Sequence, residues 1–233
     1  MSAHWDGETA AVVDCGSLVV LTAKLSGQHR QHRQDVLYSF LLAQLVANKK
    51  HKRHADPVSW YESYGETLER LGWVVEEHEG FTRHRPDVIP YGVDTLVRDT
   101  LARIAGVGTL NAAVAAVRAL AAADPVAPAA ELFEQQTHFE RAGNFQVGVA
   151  EEVSGAGGGG GAVIVRLGRF RFRAVDDATE LVRLPHTEFH AADEVVRGAQ
   201  VLHLNEDVHG PLRNEIAEKL GDRVEVLIAP VGG

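Results

Sequence analysis

The stretch DVLYSFLLAQLVANKKHKRHADPVSWYESYGETLERLGWVV, residues 35–75, decides the fold. From Val36 to Lys50, Leu37, Phe40, Leu41 and Leu45 recur at helical spacing, and Val36 and Leu42 widen the stripe. So wide a stripe predicts a helix buried on most sides, with Asp35 placed to cap its start. The basic tail Lys49-Lys50-His51-Lys52-Arg53-His54 suits the negative pole of that helix. Asp56-Pro57 then signals a new start, an acceptor followed by a proline whose missing N–H costs nothing at the first helical position. Trp60, Tyr64, Leu68 and Leu71 continue at helical spacing, and Gly72 supplies a left-handed stop. Residues 36–72 therefore read as a helical hairpin, and Trp73-Val74-Val75 open a strand towards Phe81.

Working outward, residues 11–25 read as a strand region around Gly16, with Val19, Leu21 and Ala23 alternating against Val20 and Thr22. The polar run at 26–35 reads as a loop. A second helical pair places Val93, Leu96, Val97, Leu101 and Ile104 on one face, then Leu110, Ala113, Val114, Val117, Leu120 and Ala121 on the next, ending at Asp124-Pro125. Beyond that, Glu131–Glu140, Asn144–Val153, Ala162–Val175, Thr179–Pro185 and Glu188–Leu204 read as β-rich. One late helix, Pro211–Leu220, and a final strand in VEVLIAP complete the pattern. The expected architecture is a single α+β domain over residues 1–233, mainly helical at 36–123 and mainly strands at 131–233. Helical hairpins pack on a mostly antiparallel sheet in an α/β/α-like layering.

The 233 residues hold 23 basic and 32 acidic side chains, a net charge of −9, which argues against a general nucleic-acid binder. With Cys15 the only cysteine, no intrachain disulfide can form. The longest uncharged stretch, Ile104–Val117, spans 14 residues, too few to cross a bilayer as a helix. No secretory signal opens the sequence, so the expectation is cytoplasmic synthesis, with any export by a signal-independent route.

Several residue groups invite a function. Arg169, Arg171 and Arg173 project from one face of a strand and Phe170 and Phe172 from the other, a ladder suited to phosphates or anionic headgroups unless neighbouring carboxylates neutralise it. Lys49, Lys50, Lys52 and Arg53 form a second basic group. It lies roughly 20–25 Å along its helix from the His29–Arg33 cluster, so the two make no single patch. Gly157, Gly158, Gly159, Gly160 and Gly161 predict a mobile hairpin tip, and no Gly-Lys-Ser/Thr follows to make them a phosphate loop. Glu188, His190, Asp193 and Glu194, with His186 close by, are the densest ligand group, but their spacing fits no zinc motif and alternation turns Asp193 away. Cys15 sits in an apolar strand context that favours an inert thiol. Aromatics at 60, 61, 64 and 73 are spaced for a core. No catalytic residue, metal ligand or cofactor is assigned.

The segment LLAQLVANKK…DPVSWYESYGETLERLGWVV, with Gly143-Asn144-Phe145-Gln146 later, resembles uncharacterised bacterial proteins over about residues 36–175. The order of elements is also similar to cytolytic delta-endotoxins and to an insect-gut bacterial virulence factor of α/β/α layout, a likeness of topology alone. That resemblance implies a non-enzymatic, toxin-like or virulence-type protein engaging an anionic membrane or fatty-acyl lipid. The alternative is a self-assembling structural or partner-binding module, a homo-oligomer built through strand edges and the alanine-rich helix.

Overall fold

A computed structural model describes residues 9–23, 25, 30–84, 92–139, 142–153, 161–173 and 194–232. Strands β1 (Ala10–Asp14) and β2 (Ser17–Leu21) form a tight hairpin, and α1 (Arg30–Lys50) and α2 (Pro57–Arg70) follow. Next come β3 (Trp73–His84), α3 (Val93–Leu101), α4 (Val107–Ala122), α5 (Pro128–Thr137) and the short β4 (His138–Phe139). The long strands β5 (Ala142–Val153), β6 (Ala162–Arg173) and β7 (Glu194–Leu204) precede α6 (Glu206–His209), α7 (Arg213–Leu220), α8 (Arg223–Leu227) and β8 (Ile228–Pro230). The sheet runs β3-β7-β6-β5-β2-β1-β8, with β4 paired to β5; among the described residues every pairing is antiparallel except β2 with β5. The fold is α+β with a mostly antiparallel sheet, as the sequence implies.

Helices cover both faces. Phe145, Val147, Val149, Phe170 and Phe172 join Leu18 and Val20 against α3, α4 and α5. Val19, Leu21, Val163, Val165 and Leu167 point the other way, into a cluster with α1, α2 and α7. The alternation of side chains along a strand thus sorts each residue to its layer. Asp56 caps α2 by accepting from the Ser59 amide at 3.3 Å, and Gly72 closes it at φ 90°.

Several expectations need correction. The strand region around Gly16 is two strands, folded back at Cys15-Gly16. Helix α1 starts at Arg30, so Asp35 lies inside it; the Gln31–Gln34 stretch is a polar turn of helix and no loop. Glu131–Glu140 is mostly helix: Pro128 opens α5, and Ala129, Leu132 and Phe133 bury one face of it. The VEVLIAP segment begins as the short α8 and turns to strand only at Ile228. The late helix opens with a 3₁₀ turn, Gly210–Leu212. The sheet also draws β1, β2 and β3 from the first half of the chain. The Thr179–Pro185 segment, glycines 157–160 and, of the ligand group, His186, Glu188, His190 and Asp193 lie outside the described residues, while Glu194 opens β7 in register with Arg173. Gly161 is described, beside a β5–β6 hairpin paired from Ala142↔Arg173 to Val153↔Ala162.

Candidate functional site

Across the face under α2, register lines up Asp14, Ser17, Gln146 and Arg169 in one transverse row on β1, β2, β5 and β6. All four are buried. Ser17 donates to Gln146 Oε1 at 2.7 Å. Arg169 Nη2 donates to the Glu79 carbonyl at 3.4 Å, and its guanidinium lies 4.7 Å from the Phe81 ring centre and 5.7 Å from that of Tyr61. Arg53 reaches into the same face. Its Nη2 donates to the Gly16 carbonyl at 3.1 Å and its Nη1 to Gln44 Oε1 at 3.3 Å, and it stacks 4.3 Å over Trp60. A side chain at Gly16 would collide with that guanidinium. Gln44 also accepts from the Gly16 amide at 2.9 Å and donates to the Asp14 carbonyl at 2.9 Å, so one amide side chain holds both sides of the β1–β2 turn.

Electrostatics seals this row. Burial pushes the Asp14 carboxyl well above the ordinary carboxylate range, and its oxygens find no hydrogen-bond partner among the described residues. Burial likewise carries the Cys15 thiol up to about 11, against the pull of Arg53, and Tyr61 up to about 12. A thiol so poised is protonated at neutral pH and is a poor nucleophile. Cys15 sits at φ 53° with Sγ 3.3 Å from Gln136 Oε1. Burial, then Arg53 and His138, bring His54 down to about 4. The row is an internal polar belt, and Arg53 and Arg169 belong to it; neither stands at the surface as an anion contact.

The remaining basic candidates gather at one end of the molecule. Asn144 fixes the α1–α2 connection to the sheet by donating to the Arg53 carbonyl at 3.2 Å and accepting from the Tyr61 hydroxyl at 2.5 Å. Arg171 stands directly opposite Asn144 on β6, half-buried, with Val196 as its other neighbour. Neither neighbour is acidic. Arg173, two residues on and exposed, faces Ala142 and Glu194. Lys49, Lys50 and Lys52 are exposed where the clamped connection leaves α1. The ladder and the lysine group, separate in sequence, thereby share one sheet end. Val58, in the first turn of α2, is 59% exposed. The acid in that connection, Asp56, is spent on its cap and lies 3.6 Å from His51 Nδ1.

The apolar void between the sheet and α3–α5, lined by Leu18, Val93, Phe133 and Phe145 among others, measures about 10 Å³, no more than a water needs. No acyl chain fits it. No helix among the described residues is long and apolar enough to cross a membrane. A third cluster, His32, Asp35 and Glu206, has the ligand types for a metal, but Arg213 already bridges two of the three, 2.8 Å from Asp35 and 2.6 Å from Glu206.

No protein-family model and no curated protein matches this chain. Among solved structures it is similar to that of the Evf virulence factor, at 9% identity and a TM-score of 0.38, over 91% of this chain and 84% of that one.

Proposed function

We propose that the chain is a non-enzymatic, toxin-like or virulence-type protein that engages anionic membrane surfaces through its basic end. The observation that carries this reading is the Asn144 clamp, which brings Lys49, Lys50 and Lys52 to the sheet end that bears Arg171 and Arg173. Each basic residue held near an anionic bilayer contributes about 1 kcal/mol. Arg173 pairs in register with Glu194, so Lys49, Lys50, Lys52 and Arg171 supply the attraction, enough together for reversible binding despite a net charge of −9. Contact is peripheral, because the β5–β6 hairpin is paired on both sides and covered on both faces. Flotation with vesicles of phosphatidylglycerol and with vesicles of phosphatidylcholine tests it. The protein is expected to float with the first and not the second, and Lys49→Glu/Lys50→Glu/Lys52→Glu to abolish flotation. Absence of flotation on the anionic vesicles at low salt removes the reading.

A second reading, self-association, draws on β3. This strand of 12 residues pairs with β7 on one side and, among the described residues, with no strand on the other; it exposes Val74 and Val75. Light scattering over a concentration series decides it, since a monomer at every concentration excludes assembly by that edge.

A further inference from the structure

At the far end of α1 from the basic group, a cleft of about 150 Å³ separates α1 from α7. Packed helices normally interdigitate apolar side chains, yet α1 presents Gln31, Gln34, Asp35 and Tyr38 here, at i, i+3, i+4 and i+7. The buried floor carries no unmet charge. Asp35 accepts a fork from Arg213, at 2.9 Å from Nε and 2.8 Å from Nη2, and a bond from Gln31 at 3.1 Å. His209 Nε2 lies 3.3 Å from the same carboxylate, and Arg213 is also paired with Glu206.

A cleft whose ions are already matched calls for neither a cation nor an anion. What it offers is neutral: the amides of Gln34 and Asn214 and the phenol of Tyr38, with Ile216 and Ala217 as an apolar wall. Amides donate and accept at once, as hydroxyl groups do. The ion pair and Gln31 are fixed by their mutual bonds, so this face is ordered before any ligand arrives. The volume is several times what a single water needs, room for one small ring.

We propose that this cleft binds one neutral sugar ring, its hydroxyls on Gln34, Asn214 and the Asp35–Arg213 pair and its C–H face against Tyr38 and Ala217. The ring is either a free monosaccharide or the terminus of a glycan. The test follows the side-chain amide signals of the full chain by NMR during titration with glucose, galactose and N-acetylglucosamine, each also as its methyl glycoside. Saturable shifts of the Gln34 and Asn214 amides, with a Kd of about 1 mM, are expected for at least one sugar. Equal binding of the glycoside identifies a glycan end, and binding of the free sugar alone identifies a monosaccharide. Ala217→Trp fills the cleft one helical turn from Arg213 and is expected to weaken binding about tenfold or more. Should that variant fail to fold, Gln34→Ala, at an exposed position, is expected to weaken it likewise. The absence of saturable shifts for every sugar, or affinity unchanged in the folded variant, overturns the proposal. Vesicle flotation of Ala217→Trp or Gln34→Ala remains as in the parent chain, so the two functional readings fail separately.

Discussion

Under α3–α5 the sheet is lined by Val147, Val149, Phe145, Phe170 and Phe172, and the facing helices answer with leucine, valine and alanine. Under α1–α2 the opposite face begins in the same manner, with Val163, Val165 and Leu167, then gives way to Asp14, Gln146 and Arg169, met from above by Gln44 of α1 and by Arg53. One layer is held by area and shape. The other is held in part by named bonds, each of which needs its own partner because a buried polar group left unmatched is costly. The first tolerates exchange among apolar residues of similar volume; the second tolerates almost none.

Truncation in the apolar layer is expected to have the largest effect. Phe170 is fully buried and stacks on Phe145 at 4.8 Å between ring centres, so Phe170→Ala is expected to cost about 3–5 kcal/mol in chemical denaturation. In the polar layer, Asn144→Leu keeps the volume but strips partners from the Tyr61 hydroxyl and the Arg53 carbonyl. A loss of about 2–3 kcal/mol is expected, and a loss under about 0.5 kcal/mol would erase the contrast between the faces. Acid sharpens it further. Burial would raise Asp35, but hydrogen bonds from His209, Arg213 and Gln31 outweigh it and hold the carboxyl down to about 2. Because the folded value lies below the unfolded one, this stabilisation, about 2 kcal/mol, is full above about pH 5 and disappears as pH falls through about 2. Denaturation curves of Asp35→Asn and the parent chain should therefore converge on acidification. Smallest is Lys52→Gln, exposed and outside both layers, with an expected change within about ±0.5 kcal/mol.

The apolar layer was legible because its signal is periodic. Leu96, Val97 and Leu101 announce α3, and Phe145, Val147 and Val149 announce their face of β5, with no knowledge of what covers them. The polar layer was not. Nothing local distinguishes Arg53 from Lys52, and period two groups Arg169 with Arg171 and Arg173; only α2 lying above them decides which are buried. Asp35 looked like a cap because its true partner, Arg213, lies 178 residues away. Helix α5 carries a strand-like signal because Leu132-Phe133 and Thr137-His138-Phe139 are β-prone in a window of ten residues, and Pro128, its start signal, stands just outside. Of the basic end, the residues were visible, but their meeting depends on the Asn144 bond to the Arg53 carbonyl.

The single parallel pairing, β2 with β5, has a temporal meaning. It joins two antiparallel ribbons, β1–β2 with β8 and β5–β6–β7–β3, along a seam whose paired residues Ser17 and Gln146 are 129 positions apart. During synthesis β1 and β2 emerge well before β5, so the outer rim of their hairpin stays unpaired in the interval. Seam closure is thus the natural slow step, and the interval before it is when the nascent protein most needs protection from pairing with the wrong strand.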